Sequence, residues 1–269
     1  MTSFETGDLL GRFPYVRVGS ESERLVVFPG VGDAMFDGDY PPPSGWALRT
    51  YFRRFVDDYA VYVVSRPRGL PAGQRIEDMA ADYADALERE LGPADVLGIS
   101  MGGMIAQAFA ADHPDLVDEL VLVNTGCRVA DGARDAVRRL RRYARTHDWA
   151  RIRAELAVAM FTDWRAVSYP TLALTVGRFV MPRPAVASDV GVSLDAVLSF
   201  DGRDRLDDIA ARTLVVGGTD DPYFPRSILE ETAAEIPDAT LCAFRGAKHG
   251  AFHERKPAFD SRVEAFLGQ

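Results

Sequence analysis

Two kinds of segment alternate along most of this chain: short apolar runs rich in β-branched residues, and longer stretches with apolar residues at helical spacing. Runs of the first kind predict buried strands, and stretches of the second kind predict amphipathic helices. Strands that alternate with helices are typical of crossover units, which build a mainly parallel sheet. We therefore predict an α/β fold, with a mostly parallel, twisted sheet and helices on both of its faces.

The same pattern locates the individual elements outside the middle of the chain. The predicted strands are Tyr15–Val18, Leu25–Phe28, Ala60–Val64, Asp95–Ile99, Leu120–Val123, Thr213–Val216 and Thr240–Ala243. The predicted helices are Gly45–Val56, Ile76–Leu91, Gly102–Ala111, Pro225–Ile236 and Pro257–Leu267. Because a short polar turn joins the first two strands, we expect them to form an antiparallel hairpin that opens the sheet.

Between Val123 and Thr213 the pattern changes, and helical spacing replaces the strand-like runs. Helices are expected near residues 133–146, 148–161, 166–180 and 185–199. A helical segment between two strands of one sheet is typical of an inserted cap. The predicted domains are a core of residues 1–127 and 204–269, and a cap of residues 128–203.

Composition narrows the class of protein. The 269 residues are 47% hydrophobic and 26% charged, which is enough to bury one large core. The formal net charge of −9 argues against a nucleic-acid partner, because phosphate binding requires clustered positive charge. The densest basic run, Arg134–Arg145, has apolar residues at helical spacing. This favours one helix with a solvated basic face over a site for phosphate or membrane.

The sequence carries neither a secretory signal pattern nor a run long enough to span a bilayer. Residues 1–10 include acidic residues and no apolar run. Cys127 and Cys242 lie far apart in apolar surroundings, which favours buried free thiols, with a single disulfide as the alternative. We expect a cytoplasmic protein that binds neither nucleic acid nor membranes. Its oligomeric state stays open.

The run Gly98–Gly102, with sequence G-I-S-M-G, is the most informative motif. It follows an apolar strand and precedes an apolar helix, which is the context of a nucleophile elbow. A sharp turn from strand to helix lifts the hydroxyl of Ser100 above the sheet edge, and the glycines let the two elements pass closely. Free N–H groups at the helix start favour an oxyanion beside Ser100. The alternative interpretation of this five-residue motif is an ordinary glycine-rich turn.

The run Gly98–Gly103 resembles the elbow of the α/β-hydrolase superfamily. The resemblance extends from about Tyr15 to the end of the chain and is weakest in the cap. It implies the α/β-hydrolase fold, with Ser100 attacking an acyl carbon. A serine hydroxyl is a poor nucleophile by itself, so a base must take its proton and a carboxylate must orient that base.

The acid is expected in the loop that follows the strand Thr213–Val216. The carboxyl ends of strands in open α/β sheets are where ligands bind. The spacing from Gly218 to Asp221 to Pro225 is similar to the family's acid loop and implies Asp221 as the acid. The alternative is Asp220, which can also serve as a solvated turn residue or a helix cap.

The base is chosen from four histidines. His249 follows the last strand, where the family keeps its catalytic histidine, although Lys248 replaces the small residue often found before it. The resemblance therefore implies His249 as the general base. His253, four residues later, is the alternative. The chain order of serine, acid and histidine matches the order typical of this fold.

The second oxyanion donor is expected in the loop after the second predicted strand. The family commonly has His-Gly where this chain has Pro29 and Gly30, and proline has no N–H to donate. We therefore assign the oxyanion hole to the backbone N–H groups of Val31 and Met101, with a plain glycine turn as the alternative. The run Ser65–Gly69 is similar to an Arg-Gly loop that has a structural role in relatives.

Specificity is expected to come from the cap, where Phe161, Trp164 and Tyr169 are candidates to line an apolar pocket over Ser100. Ordinary packing of cap helices explains the same residues equally well. The spacing of histidines and cysteines does not suggest a metal site, and no cofactor is expected. The expected partner is a small-molecule acyl substrate.

Together these features predict a serine hydrolase that cleaves a carboxylic ester or related acyl bond through an acyl-enzyme on Ser100. Relatives with the same triad also cleave carbon–carbon bonds, lactones and thioesters, or transfer acyl groups. A non-catalytic ligand-binding or sensor protein on the same scaffold is the alternative from a different class.

Overall fold

The computed structural model describes residues 4–20 and 22–268, and a sheet of eight strands runs through this part of the chain. The strands are β1 (Phe4–Leu9), β2 (Phe13–Val18), β3 (Glu23–Phe28), β4 (Tyr59–Val64), β5 (Ala94–Ile99), β6 (Val117–Val123), β7 (Arg212–Gly218) and β8 (Ala239–Phe244). Their order across the sheet is β1-β2-β4-β3-β5-β6-β7-β8. From β4 to the β8 edge all neighbours are parallel, whereas β2 is antiparallel to both β1 and β4.

Helices cover both faces of this sheet. They are α1 (Pro42–Tyr51), α2 (Ile76–Glu90), α3 (Met101–Asp112), α4 (Arg134–Arg145), α5 (Trp149–Met160), α6 (Arg165–Leu174), α7 (Gly177–Val180), α8 (Ala187–Ser199), α9 (Arg226–Glu235), α10 (Ala251–Glu254) and α11 (Lys256–Leu267). Apolar side chains of α2, α3 and α9 pack on one face, and those of α10 and α11 on the other. The prediction of an α/β fold with a mostly parallel sheet is confirmed.

The predicted opening hairpin is wrong. The segments Tyr15–Val18 and Leu25–Phe28 do not pair with each other, because β2 lies between β1 and β4, and β3 lies between β4 and β5. The side chains of Leu25–Phe28 are at most 2% exposed. A strand buried on both faces belongs inside a parallel sheet rather than in an edge hairpin. The edge position is taken by β1, which the sequence pattern did not predict.

The helices α4 to α8 lie in sequence between β6 and β7, where the cap was expected. The single helix predicted near residues 166–180 is two helices, because Thr175 leaves helical geometry with φ −105° and ψ −103°. At the start of α7, a side chain on Gly177 would come within 2.7 Å of the Leu172 carbonyl oxygen. The proposed division at residues 127/128 and 203/204 stays a prediction, and its outer limits, residues 1–3 and 269, lie outside the described residues.

The basic run Arg134–Arg145 forms α4, as expected. Its apolar face is buried, whereas Arg138, Arg139 and Arg141 form ion pairs with acidic side chains. This supports the interpretation of a charged helix face rather than a phosphate site. In the described parts of the chain, no helix is both long enough and apolar enough to cross a bilayer.

Candidate active site

Ser100 forms the turn between β5 and α3. Its backbone has φ 55° and ψ −118°, a conformation that non-glycine residues rarely adopt. The turn requires close packing, because a Cβ on Gly98 would overlap Gly103 and a Cβ on Gly102 would overlap the Phe28 carbonyl. The two elements therefore cross as a nucleophile elbow does, and they hold the Ser100 hydroxyl at the carboxyl edge of the sheet.

Ser100, His249 and Asp221 meet at this edge. The Nε2 atom of His249 lies 3.0 Å from Ser100 Oγ, and its Nδ1 atom lies 2.7 Å from Asp221 Oδ2. The loop after β7 supplies the aspartate, and the loop after β8 supplies the histidine. Although the three side chains are distant in sequence, His249 is within hydrogen-bond distance of both Ser100 and Asp221, which is the order that nucleophilic catalysis requires.

Asp221 is held as an ionised, hydrogen-bonded carboxylate. Its Oδ1 accepts the N–H groups of Tyr223 and Phe224 at 2.8 and 3.1 Å. Its Oδ2 also accepts the Asn124 amide at 3.2 Å. Burial alone would raise the pKa of Asp221, but the positive charge of protonated His249 and these hydrogen bonds outweigh it. They hold the pKa below its ordinary value.

The alternative acid and base lie elsewhere. The carboxylate of Asp220 is exposed and accepts the Thr219 hydroxyl at 2.7 Å. His253, on α10, packs against the rings of Phe252 and Tyr51. Within residues 4–20 and 22–268, no group of three or more His, Cys, Asp or Glu side chains could hold a metal ion.

The two expected oxyanion donors line the same cavity as Ser100 and His249. Val31 begins a short 3₁₀ helix, Val31–Met35, and Met101 begins α3. The first N–H groups of a helix have no acceptor within the helix, and in the described structure neither of these donates to another backbone carbonyl. Both remain available to an anion beside Ser100.

The loop before Val31 is braced by a buried arginine. Arg66 is 1% exposed, and its guanidinium donates to the carbonyls of Pro29 and Gly30 at 2.9 and 3.0 Å. Its backbone N–H donates to the carboxylate of Asp33, which also accepts two hydrogen bonds from Arg68. This network holds the loop containing Pro29 and Gly30, at the positions where the family commonly has a His-Gly pair. The resemblance implied a structural role for Ser65–Gly69, whereas the role of Asp33 was not predicted from the sequence.

Burial alone would raise the pKa of Asp33. The guanidinium groups of Arg66 and Arg68 outweigh that effect, and they hold the pKa of Asp33 below its ordinary value. The carboxylate therefore stays charged in the interior, where unpaired charge is costly. No local feature of the sequence indicates this role, because the arginine partners of Asp33 lie more than thirty residues away along the chain.

The last turn of α5 contacts the histidine loop. The carbonyls of Ala159 and Met160 accept the N–H groups of His249 and Gly250 at 3.2 and 2.8 Å. The Lys248 ammonium donates to the Val158 carbonyl at 3.1 Å. The final carbonyls of a helix receive no hydrogen bond from within the helix. These contacts therefore supply their missing donors and fix the histidine loop at the same time.

A small cavity that is partly open to solvent lies against Ser100 and His249. Helices α4, α5 and α8 contribute an aliphatic lining to it. These lining residues are Val137, Leu140, Leu156, Leu194 and Val197. Val129, Tyr223 and Phe224 complete the wall.

The expected pocket residues do not line this cavity. Phe161 and Tyr169 line a separate pocket that also includes His253, and Trp164 is 69% exposed. Helix α6 follows α5 in sequence and packs against it, whereas side chains of α4, α5 and α8 line the cavity next to the serine. The cavity wall formed by α4, α5 and α8 is therefore aliphatic rather than aromatic.

Comparison of the sequence with known proteins gives three informative relatives. Polyketide synthase ThaQ of Burkholderia thailandensis is 30% identical over 93% of this chain, which spans only 12% of that protein. The putative carbamate hydrolase RutD of a Caulobacter species is 27% identical over 98% of both chains. A 2-hydroxy-6-oxononadienedioate/2-hydroxy-6-oxononatrienedioate hydrolase of a Pseudomonas species is 28% identical over 98% of this chain and 94% of its own.

Solved structures share the fold over the whole length. The enol-lactonase from Burkholderia xenovorans LB400 superposes with a TM-score of 0.78 at 20% identity, covering 98% of this chain and 100% of its own. The esterase EaEST from Exiguobacterium antarcticum gives a TM-score of 0.76 at 20% identity and covers both chains completely. The family model for the alpha/beta hydrolase fold matches residues 28–256. The chain therefore belongs to the α/β-hydrolase family.

Proposed function

We propose that this hydrolase cleaves a carboxylic ester or closely related acyl bond through an acyl-enzyme on Ser100. The observation that carries the proposal is the continuous hydrogen-bond path from Ser100 Oγ through His249 to Asp221, at 3.0 and 2.7 Å. In the first step, His249 Nε2 takes the serine proton as Oγ attacks the acyl carbon. Asp221 orients the imidazole and stabilises its protonated form.

Attack on the acyl carbon places negative charge on the carbonyl oxygen. The N–H groups of Val31 and Met101 stabilise this oxyanion from one side of the cavity. The imidazolium then gives its proton to the leaving alcohol, and the acyl group stays on Ser100. His249 next takes a proton from water, which attacks the acyl-enzyme and releases the acid with Ser100 restored.

The cavity supports a largely apolar acyl group as the substrate class. In the proposed cap, residues 128–203, its walls are aliphatic, and among the described residues lining it none is Lys, Arg, Asp or Glu. An apolar wall stabilises an aliphatic chain by removing its surface from water, at about 25 cal/mol per Å². The solved structures of an esterase and an enol-lactonase share the fold with this chain.

Carbon–carbon cleavage is a second candidate, because one relative is named as a hydrolase of 2-hydroxy-6-oxononadienedioate. A dioate carries two carboxylates, and binding them in an apolar cavity requires compensating cations. The lining side chains that the structure describes provide none. This favours the ester over the dioate. The carbamate hydrolase relative makes a carbamate a further substrate for the same acyl chemistry.

The test combines a fluorophosphonate probe with 4-nitrophenyl esters of increasing acyl length. We expect labelling and ester turnover in the wild-type chain, and loss of both in Ser100→Ala. Ser227→Ala, which changes an exposed serine on α9, serves as the matched control and should behave as wild type. Labelling without turnover of any ester, lactone or thioester would favour the sensor. Acyl transfer to added alcohol in place of hydrolysis would favour an acyltransferase.

A further inference from the structure

A buried carboxylate on the cap, outside the proposed triad, contacts the core. Asp189 lies in the first turn of α8 and is 1% exposed. Its two oxygens accept the backbone N–H groups of Gly69 and Leu70, each at 2.9 Å. A buried carboxylate is retained only where hydrogen bonds or charges compensate its desolvation. These two bonds fasten the start of α8 to the loop after β4.

The loop after β4 also holds the backbone around Val31, the proposed oxyanion donor. Arg66 and Arg68 lie within four residues of Leu70, and Arg66 donates to the carbonyls immediately before Val31. Both arginines also bind the carboxylate of Asp33, two residues beyond Val31. The backbone on both sides of the Val31 N–H is therefore held by a loop that Asp189 in turn holds.

The other end of α8 lines the cavity. Leu194 and Val197 face the space next to Ser100. At a rise of about 1.5 Å per residue, they lie roughly 8 and 12 Å along the helix axis from Asp189. One helix therefore contacts both the proposed site of the acyl chain and the loop that positions the proposed oxyanion donor.

We propose that Asp189 is a positioning residue that couples the cap to the oxyanion hole. An acyl chain packed against Leu194 and Val197 holds α8 in place. Through Asp189 and the loop of residues 66–70, α8 then holds the Val31 N–H where the oxyanion forms. This inference rests on the proposed function, because it assumes that the Val31 N–H stabilises that oxyanion.

Coupling of this kind has a kinetic signature. Binding energy from a remote part of the substrate is spent on orientation at the reacting centre, so it raises kcat rather than only lowering KM. A long acyl chain should therefore react faster than an acetyl group on Ser100, and that advantage should depend on Asp189. A carboxylate that merely stabilised the fold would affect the melting temperature and leave the kcat ratio of long to short esters unchanged.

The decisive variant is Asp189→Asn, which preserves shape but replaces one acceptor oxygen with an NH₂ group facing an N–H donor. We expect kcat for an octanoyl ester to fall about tenfold, with KM within about twofold and acetyl-ester kcat nearly unchanged. An octyl boronic acid, which mimics the tetrahedral state on serine, should lose a similar factor in affinity. Asp195→Asn is the matched control, since Asp195 lies on α8 but is exposed and paired with Arg141.

Several outcomes would overturn the coupling. One is a D189N chain with a lower melting temperature but a wild-type ratio of octanoyl to acetyl kcat. Another is an equal loss in D195N. If D189N does not fold, amide exchange in the wild-type chain decides the matter. The Gly69 and Leu70 amides should exchange more slowly with octyl boronic acid bound than with methyl boronic acid bound, and equal rates would refute the coupling. A wild-type chain that turns over no ester would instead refute the proposed function itself.

Discussion

Asp221 uses its two carboxylate oxygens for different purposes. Oδ1 accepts two backbone N–H groups from its own loop, which fixes the side chain, and Oδ2 faces His249 and the Asn124 amide. The carboxylate is therefore oriented before the histidine becomes charged. Preorganisation of this kind is what makes a buried acid effective, because no solvent has to reorganise during the reaction.

Replacing Asp221 by Asn should disable the proposed triad without disturbing the fold. The amide cannot accept the imidazole N–H in the same way, so His249 is left in the wrong tautomer. We expect kcat to fall by about 10⁴, with a circular dichroism spectrum like that of wild type. Asp220→Asn, the exposed neighbour, should keep at least half of the activity. Similar losses in both variants would contradict the choice of Asp221.

Val31→Pro tests the oxyanion donor. Proline is well tolerated at the first position of a helix, where it removes only the N–H. Turnover of a good ester substrate should drop about a hundredfold or more, with little change in KM. Val31→Ala keeps the N–H and should stay within about threefold of wild type. Equal kcat in the two variants would rule out this donor.

At the level of single residues, the sequence and its family resemblance predicted the three side chains that the structure brings together. Ser100 is part of a motif, and His249 and Asp221 follow strands at the right places. Asp33 and Asp189 carry no such local signal, because their partners lie more than thirty and more than a hundred residues away in sequence. Only the folded chain brings those groups together.

The crossing of β5 and α3 is the element on which the site depends. Both Gly98 and Gly102 sit where a side chain would overlap backbone of a neighbouring element. The helix can therefore begin directly above the sheet edge, with its first N–H groups aimed at the space beside Ser100.

Two glycine-to-alanine changes on helices should have opposite effects. In Gly102→Ala the new methyl would overlap the Phe28 carbonyl, and we expect a loss of about 1–3 kcal/mol in unfolding free energy. Gly191 lies within α8 with open space at its Cβ position. Gly191→Ala should therefore stabilise the chain by about 0.5–1 kcal/mol through helix propensity. Urea denaturation measures the unfolding free energy of both variants. Changes of the same sign would contradict the packing described at these two glycines.

At the level of elements, burial explains what the sequence pattern could and could not predict. Strands such as β3 and β5 were found because continuous apolar runs are typical of parallel strands. The partner of β3 was misassigned, since proximity in sequence does not decide pairing when a strand is buried on both faces. β1 was missed because its sequence, FETGDL, has few β-branched or aromatic residues and pairs on one side only.

Across the whole molecule, the proposed cap and the proposed core both contact the groups of the proposed reaction. The end of α5 holds the histidine loop, and the start of α8 holds the loop that braces the oxyanion donor. The cavity between these contacts is walled by the same two helices and α4. Displacement of the proposed cap would therefore disturb the proposed base, the proposed oxyanion hole and the cavity wall together.

The ionisation of Asp95, on β5, should make the unfolding free energy of the whole chain depend on pH. Burial and the charge of Glu119 raise the pKa of Asp95 to about 7. The unfolded chain ionises this group near pH 4, so the folded state loses stability as pH rises from about 4 to 7. Asp95→Asn removes that loss and should be about 2–4 kcal/mol more stable than wild type at pH 8. Near pH 4 the variant and the wild-type chain should have nearly equal unfolding free energies.

Urea denaturation at both pH values checks this prediction. Asp57→Asn, which changes an exposed aspartate, provides the control and should follow the wild-type curve at each pH. A D95N chain no more stable than wild type at pH 8 would show that Asp95 ionises normally in the folded state.

The volume of the cavity should set the preferred acyl length. Leu156 on α5 is half-buried and lines the wall, so its side chain can change size without disrupting a closed core. Leu156→Trp should fill space and move the best 4-nitrophenyl ester to a shorter chain, whereas Leu156→Ala should move it to a longer one. Each methylene gained or lost is worth about 0.8 kcal/mol, or roughly fourfold in kcat/KM. Leu172→Trp, on the exposed side of α6, is the control and should leave the dependence of kcat/KM on acyl length unchanged. A shift in this control, with no shift in the Leu156 variants, would place the acyl chain outside this cavity.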